Sequence, residues 1–399
     1  MRLLALLCAF AFAASGAEAA NGRWIGSWAA SPAMPMAAPA NNPARGTPTF
    51  NNQTITQVVR LSAGGSRLRI RLSNEYGPKP LRIGAVRVAL VGRDGVVVPG
   101  SAHAVTFSGE AAATIPAGSP LLSDPVALPT KALASLRVAL YLPADSNGCT
   151  CHMTGMDLVS IAPGDATQAP PAPAKDAPDY RAFLTQVDVE TAAPLRPVIA
   201  TFGDSITDGY RSTDNGNHRW PDRLAERLDA GKRPFAVVNP AISGNRVLTE
   251  QLPIFGQNAL ARFDRDVLAI PGVTHVTVLE GVNDLGMTKP TPAAAEIIAG
   301  YRQLIARTHE HGMKIIGGTI LPYGGAVYFS AAGEAERQKI NAWIRTGHEF
   351  DGVIDFDAAM RDPAKPERMR AELQSGDWLH PNDSGYRVMG EAVDLSLFQ

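Results

Sequence analysis

Cysteine is scarce: Cys8, Cys149 and Cys151 are the only three in 399 residues. That is too few for a disulfide-stapled scaffold, so the fold has to rest on a hydrophobic core. An excess of either charge is also missing, with 37 Lys and Arg against 38 Asp and Glu and a formal net charge of −1. There is no basic run, and no basic stripe interleaved with aromatics. The chain therefore offers no electrostatic case for nucleic acid or an anionic membrane as partner. After the first twenty residues no apolar run is long enough to span a bilayer, and no segment repeats another. What is present is 45% hydrophobic and 19% charged residues, a globular composition in a chain long enough for about two domains.

The N-terminus, MRLLALLCAFAFAASGAEAANGRW, has Arg2, an apolar stretch, and then small residues in which Ala17-Glu18-Ala19 fits an A-x-A cleavage pattern. Residues 1–20 read as a secretory signal peptide whose apolar part is too short for a membrane anchor. Cys8 lies very early and follows the bulky Leu7, so it does not read as a lipid-attachment site. The expectation is a secreted or periplasmic protein without stable membrane insertion. Export leaves Cys149 and Cys151 in NGCTCH. An oxidising compartment favours a bridge there, although only one residue separates the two. Cys151-His152 as half of a metal site lacks a matching pair elsewhere, so a structural role is preferred.

From about 50 to 190 the apolar residues recur with a period of two. In RLRIRLS, Leu68, Ile70 and Leu72 alternate with Arg67, Arg69 and Arg71, which predicts a strand with one buried face and one charged face in water. Gly64-Gly65 before it reads as a tight turn, as does Asp94-Gly95 between VRVALVG and VVVPG. AVTFSG, LRVALYLP and FLTQVDVE add further short strands. Residues 21–192 are thus expected to form an all-β, jelly-roll-like antiparallel sandwich. The Pro- and Ala-rich PGDATQAPPAPAKDAP, 163–178, is a linker or a long surface loop. The strand-like FLTQVDVE after it favours a loop within the first domain and puts the boundary near 193.

From about 196 the period changes. VIATFGDS, FAVVNPAIS, HVTVLEGVND, MKIIGGTILP and GVIDFDA are nearly continuous apolar runs. Between them lie the helix-like PDRLAERLDAG, NALARFDRDVLA, PAAAEIIAGYRQLIARTHEHG and EAERQKINAWIRTGHE. This is the α/β pattern of a parallel sheet covered on both faces. Pro292 and Glu296 mark the start of the third helix. His309, His311 and Gly312 mark its end, a reading preferred to metal binding by the His-Glu-His cluster.

Open parallel sheets bind ligands outside the carboxyl ends of their strands, and FGDSITDG places Ser205 at such an end. A serine there is either a helix cap or a nucleophile, and a nucleophile needs a base and an acid that orients the base. Other strand ends supply candidates. AISGN presents Gly244, whose amide no side chain keeps from a reacting oxygen. GVND presents Asn283, whose amide can donate to an oxyanion. DWLH, with a spacing of three, offers Asp377 and His380 as acid and base. The order Ser, Asp, His occurs in such triads, but the absence of a G-x-S-x-G elbow argues against an α/β-hydrolase. Asp204 and Asp284 are assigned to loop geometry.

These blocks, in this order and spacing, resemble the GDSL or SGNH hydrolase family: Ser205 in FGDSITDG, Gly244 in SGN, Asn283 in GVND and His380 in DWLH, over residues 196–399. Isoleucine in GDSI stands where leucine is usual. WIGSWAASP and FNNQTITQVVRLSAGG are similar to the β-rich N-terminal half of a subset of secreted bacterial members. For residues 193–399 the resemblance implies a flavodoxin-like, three-layer α/β domain with a five-stranded parallel sheet. It implies a serine esterase with Ser205 as nucleophile, His380 as base and Asp377 as acid. The Ser205 and Gly244 amides and the Asn283 side chain would form the oxyanion hole, and no metal or organic cofactor is required. The expected substrate is a small-molecule or polysaccharide ester, with a lean towards acetyl esters of polysaccharide; lipid and aryl esters stay open. Acyl transfer to a sugar hydroxyl would use the same acyl-enzyme and also stays open. Carbohydrate binding without catalysis runs against the complete residue set, and no protein partner is implied.

Overall fold

The computed structural model describes residues 23–38, 46–92, 95–170, 179–192 and 196–399. The signal-peptide reading of 1–20, Asp94, residues 171–178 of the Pro- and Ala-rich stretch, and the boundary at 193 lie outside the described residues.

The first half is built on nine principal strands: β1 (Arg23–Ala29), β2 (Gln53–Arg60), β3 (Leu68–Asn74), β4 (Ala85–Val91), β5 (His103–Val105), β6 (Ser119–Leu122), β7 (Ser135–Leu142), β8 (Ser160–Pro163) and β9 (Leu184–Thr191). They form two antiparallel sheets, ordered β1-β9-β3-β6 and β8-β2-β7-β4-β5. Alternation places the apolar residues inward: Leu68, Ile70 and Leu72 on β3 and Leu136, Val138, Leu140 and Leu142 on β7 are all fully buried. FLTQVDVE supplies β9, a central strand between β1 and β3.

Two local readings change. The arginine face of β3 is only partly in water: Arg67, just before the strand, is exposed, whereas Arg69 and Arg71 are half-buried. Arg69 pairs with the buried Asp188 at 2.9 Å and lies over the Trp24 ring, and Arg67 pairs with Glu190. These acids come from β9, directly across the ladder. Gly64-Gly65 is not a hairpin turn either, because β2 and β3 belong to different sheets. Glycine is needed there for close approach: a Cβ on Gly64 would lie 2.3 Å from the Thr130 carbonyl oxygen. The turn near Gly95 does close a hairpin, with Val98 N donating to Leu90 O at 2.9 Å. Cys149 and Cys151 are joined by a disulfide.

The main sheet of the second half holds five strands, β10 (Val198–Gly203), β11 (Ala236–Val238), β12 (Val273–Leu279), β13 (Lys314–Gly318) and β14 (Gly352–Ile354). All are parallel, in the order β11-β10-β12-β13-β14. Every residue of β10 is buried, as in a strand covered on both faces. The chain leaves β10 for β11 on one side and then crosses to β12 on the other, so β10 is where the strand order reverses, the place where open α/β sheets bind ligands. The helices are α1 (Ser205–Asp208), α2 (Trp220–Ala230), α3 (Ala259–Phe263), α4 (Val282–Met287), α5 (Ala294–Glu310), α6 (Ala331–Thr346), α7 (Phe356–Met360) and α8 (Asp383–Ala392). A π-helical turn, Asp264–Leu268, extends α3. In the α5 capping turn Glu296 accepts from Ala293 N at 2.9 Å. After the helix Gly312 has φ +66°, and His309 pairs with Asp351. No helix of the described residues is long and apolar enough to cross a membrane.

The two halves are tightly joined. Gly26 N donates to Pro271 O at 2.8 Å, Val237 N to Ser62 Oγ at 3.0 Å, and Ser31 Oγ to Pro240 O at 2.9 Å. Gly26 allows this approach, since a Cβ there would meet Ile270 at 2.5 Å.

Candidate active site

Strand β10 ends at Gly203, and Asp204 starts α1 by accepting from Ile206 N at 2.9 Å. Ser205, the first residue of α1, is therefore held at the strand exit, almost wholly buried. Its Oγ lies 2.8 Å from His380 Nε2. His380 comes from the loop before α8, where Trp378 takes φ +59°. Asp377 shapes this loop from within: Oδ1 accepts from Leu379 N and His380 N, each at 2.9 Å, and Oδ2 lies 2.7 Å from His380 Nδ1. Burial works against the Asp377 charge. The His380 ring and the two amides outweigh it, and the carboxyl sits well below the usual carboxylate range. With Nδ1 donating to that carboxylate, Nε2 is left to accept from the Ser205 hydroxyl. Asp383 is occupied elsewhere, with Thr213 and with His218 at 2.7 Å.

The strand ends on either side supply the other predicted groups. Gly244 sits in the turn after β11 with φ +79°, and a Cβ there would lie 2.5 Å from the Phe255 ring. Both the left-handed backbone and the ring demand glycine. Asn283, fully buried in the first turn of α4 after β12, donates through Nδ2 to Asn245 O at 2.9 Å and accepts from Tyr328 OH at 3.0 Å. One Nδ2 hydrogen remains for another acceptor. Tyr210 packs edge-on against His380, ring centres 4.8 Å apart.

Beneath these groups lies a charged cluster that no motif announces. Arg262, fully buried on α3, donates to Gly203 O at 3.0 Å, Pro240 O at 2.6 Å and Asn245 Oδ1 at 2.8 Å. It thereby ties the exit of β10 to the turn after β11, with Phe202 stacked 4.0 Å from its guanidinium. The only sequence signal is an arginine within an amphipathic helix. Asp284 accepts from Val247 N and Leu248 N at 2.8 and 3.0 Å, so it and Asp204 both shape loops. Burial, reinforced by neighbouring carboxylates, pushes Asp204 up to about 7 and Glu280 well above its usual range. Burial alone, against the amides it accepts from, lifts Asp284 to about 6. Among the described residues, no group of three or more His, Cys, Asp or Glu is placed to hold a metal ion.

A hydroxyl hydrogen-bonded to an imidazole, itself backed by a carboxylate, is an arrangement that can generate a nucleophile at neutral pH. Comparison with known proteins bears on the reaction class. The GDSL-like lipase/acylhydrolase family matches residues 201–388. Similar solved structures include a carbohydrate acetylesterase from Sinorhizobium meliloti, 13% identical over 49% of this chain and 95% of that one, TM-score 0.40. An aryl esterase from M. smegmatis is 16% identical over 49% and 95%, TM-score 0.40. A GDSL-like lipase from Bacteroides thetaiotaomicron is 18% identical over 52% and 91%, TM-score 0.38. No curated protein matches the chain. Residues 201–388 thus carry a GDSL-like lipase/acylhydrolase domain, and with it the assignment of a carboxylic ester hydrolase.

Proposed function

We propose that Ser205, His380 and Asp377 are the catalytic residues of an exported serine esterase acting on small-acyl esters, acetyl esters of polysaccharide foremost. The carrying observation is the continuous relay, 2.8 Å from Ser205 Oγ to His380 Nε2 and 2.7 Å from His380 Nδ1 to Asp377 Oδ2. His380 Nε2 takes the serine proton as Oγ attacks the ester carbonyl carbon, and Asp377 stabilises the imidazolium that forms. The oxyanion is met by the Ser205 and Gly244 amides and the free Asn283 Nδ2 hydrogen. His380 then protonates the leaving alcohol oxygen. Water, deprotonated by the same nitrogen, releases the acid from Ser205.

Export is supported by the leader-like residues 1–20 and by the Cys149–Cys151 disulfide, which fits an oxidising compartment. A short acyl group is supported by the rings of Tyr210 against His380 and Phe255 against Gly244, which crowd the reacting groups. A two-domain division, 21–192 and 193–399, is supported by the sheets: among the described residues the sandwich strands end at Thr191 and the parallel strands begin at Val198.

Ser205→Ala tests the mechanism. Turnover of an aryl acetate should fall by several orders of magnitude, up to about 10⁶-fold, with the melting temperature unchanged; near-normal turnover overturns it. Aryl esters of increasing chain length, beside acetate release from acetylated xylan and pectin, test the substrate. A preference for long acyl chains would remove the acetyl assignment.

A further inference from the structure

Asp208, the last residue of α1 and three residues beyond Ser205, has no part in the relay, yet both its oxygens are engaged. Oδ2 accepts from Ser243 N at 2.9 Å and Ser243 Oγ at 2.7 Å. Oδ1 lies 2.9 Å from Nε2 of His152, a residue of the other half of the chain. His152 and Asp208 are only 5% and 4% exposed. The His152 ring is surrounded by acceptors: Ser31 O is 3.0 Å from Nδ1, and Thr154 O is 3.1 Å from Nε2 beside the Asp208 carboxylate. Either nitrogen left without a proton would aim a lone pair at an oxygen, so both carry one. The ring is then an imidazolium paired with Asp208, and burial makes its placement costly to disturb. Its backbone is fixed as well. The Cys149–Cys151 bridge ends at the preceding residue, and Ala33 N donates to Cys151 O at 2.9 Å.

We propose that His152 is a positioning residue for the esterase reaction: through Asp208 and Ser243 the N-terminal sandwich sets the position of the Gly244 amide. This rests on the reading of Gly244 as an oxyanion donor. The turn that carries Gly244 hangs between two anchors. One is Asn245, held by Arg262 at 2.8 Å. The other is Ser243, held by Asp208. Asp208 also belongs to the helix that begins at Ser205, so one carboxylate sets the nucleophile's helix against the oxyanion turn. His152 in turn fixes which way that carboxylate faces. Loss of His152 would leave Asp208 buried with Oδ1 unpartnered and the carboxylate held from the Ser243 side alone, and the Gly244 amide would drift from the developing oxyanion. A donor displaced by a fraction of an ångström costs transition-state stabilisation and leaves ground-state binding almost untouched.

The test compares variants of the full chain on an aryl acetate. His152→Phe keeps a ring and removes both donors. kcat should fall roughly tenfold to a hundredfold with KM changed less than about threefold. His152→Gln, which can still present an N–H to Asp208, should recover most of the loss. The double variant His152→Phe/Asp208→Asn should lose no more than the larger single loss, because the two act through one path. If His152→Phe does not fold, Ser243→Ala, which removes only the hydroxyl bond to Asp208, should still lower kcat at constant KM. The proposal is overturned by a folded His152→Phe with kcat within about twofold of the parent, by equal losses in the Phe and Gln variants, by additive losses in the double variant, or by an unchanged kcat in Ser243→Ala. Ser205→Ala, measured in parallel, separates the two ideas: activity retained there sinks the esterase reading itself, whereas activity lost there beside an unaffected His152→Phe sinks only the positioning role.

Discussion

Replacing Asp377 with asparagine changes one atom and should nearly abolish turnover. The Asn Oδ1 can still accept from the Leu379 and His380 amides, the two 2.9 Å bonds that shape the loop, so the backbone should stay where it is. What then faces His380 Nδ1, at the 2.7 Å now occupied by a carboxylate oxygen, is an NH₂ group. Nδ1 has to become the acceptor, the ring proton moves to Nε2, and Nε2 can no longer take the Ser205 proton. Two losses combine. A carboxylate about 4 Å from an imidazolium is worth about 4 kcal/mol at the effective dielectric of a partly wet site. Asp377 is one-third exposed, which discounts that figure. The wrong tautomer adds its own penalty, and in serine triads the same substitution lowers kcat by about 10⁴. A fall of roughly 10³ to 10⁴ in kcat for an aryl acetate at neutral pH is therefore expected, with an unchanged melting temperature and a small change in KM. A kcat within tenfold of the parent would mean that His380 is oriented by something else, and the relay as drawn would be wrong. Asp383 is not a ready substitute, since it is committed to Thr213 and His218.

Gly244→Ala should cost about 1–2 kcal/mol for its left-handed backbone, and more where its Cβ meets Phe255. As the Gly244 amide shifts, kcat should fall roughly a hundredfold; a variant with parental kcat and melting temperature would remove Gly244 from the oxyanion hole. Stability should also depend on pH through the buried carboxylates. Burial raises Asp284 to about 6 from an ordinary value of 3.8, so its contribution is whole below pH 4 and is lost as pH rises through 6, about 3 kcal/mol in all. Asp204, raised to about 7, acts in the same direction. Urea midpoints between pH 4 and 7 should therefore decline, and Asp284→Asn should decline less; equal slopes in parent and variant would refute the raised carboxyl.

How much of this was legible beforehand depended on distance along the chain. The five parallel strands were readable because each is a short, mostly apolar run, largely buried on both faces in β10, β11, β12 and β13, and the local pattern alone carries that information. Ser205, Gly244, Asn283, Asp377 and His380 could be singled out as candidates because each lies in a block whose order and spacing form a motif, and Ser205 and His380, 175 residues apart, lie side by side in the structure. The misread Arg69 of β3 shows the opposite case. It looks solvent-facing only while Asp188, 119 residues on, is out of view. Gly64-Gly65 shows the same limit in backbone form. Two glycines between apolar runs serve a turn or a close approach equally well, and Thr130, far along the chain, decides it.

The supporting shell was the least legible part, and the reason is energetic. A nucleophile or its base is constrained by chemistry to a few residue types. A buried polar partner has only to satisfy hydrogen bonds left by its neighbours, and many side chains can do that. Arg262 holds three separate oxygens beneath the site, yet in sequence it is one arginine on one helix. His152 reads as the tail of a Cys-x-Cys-His string until Asp208 and Ser31 are placed around it. Such residues become visible once every buried donor and acceptor near the reacting atoms is asked what holds it. For the turn that carries Gly244, the answer leads through Asp208 out of the parallel sheet and into the sandwich.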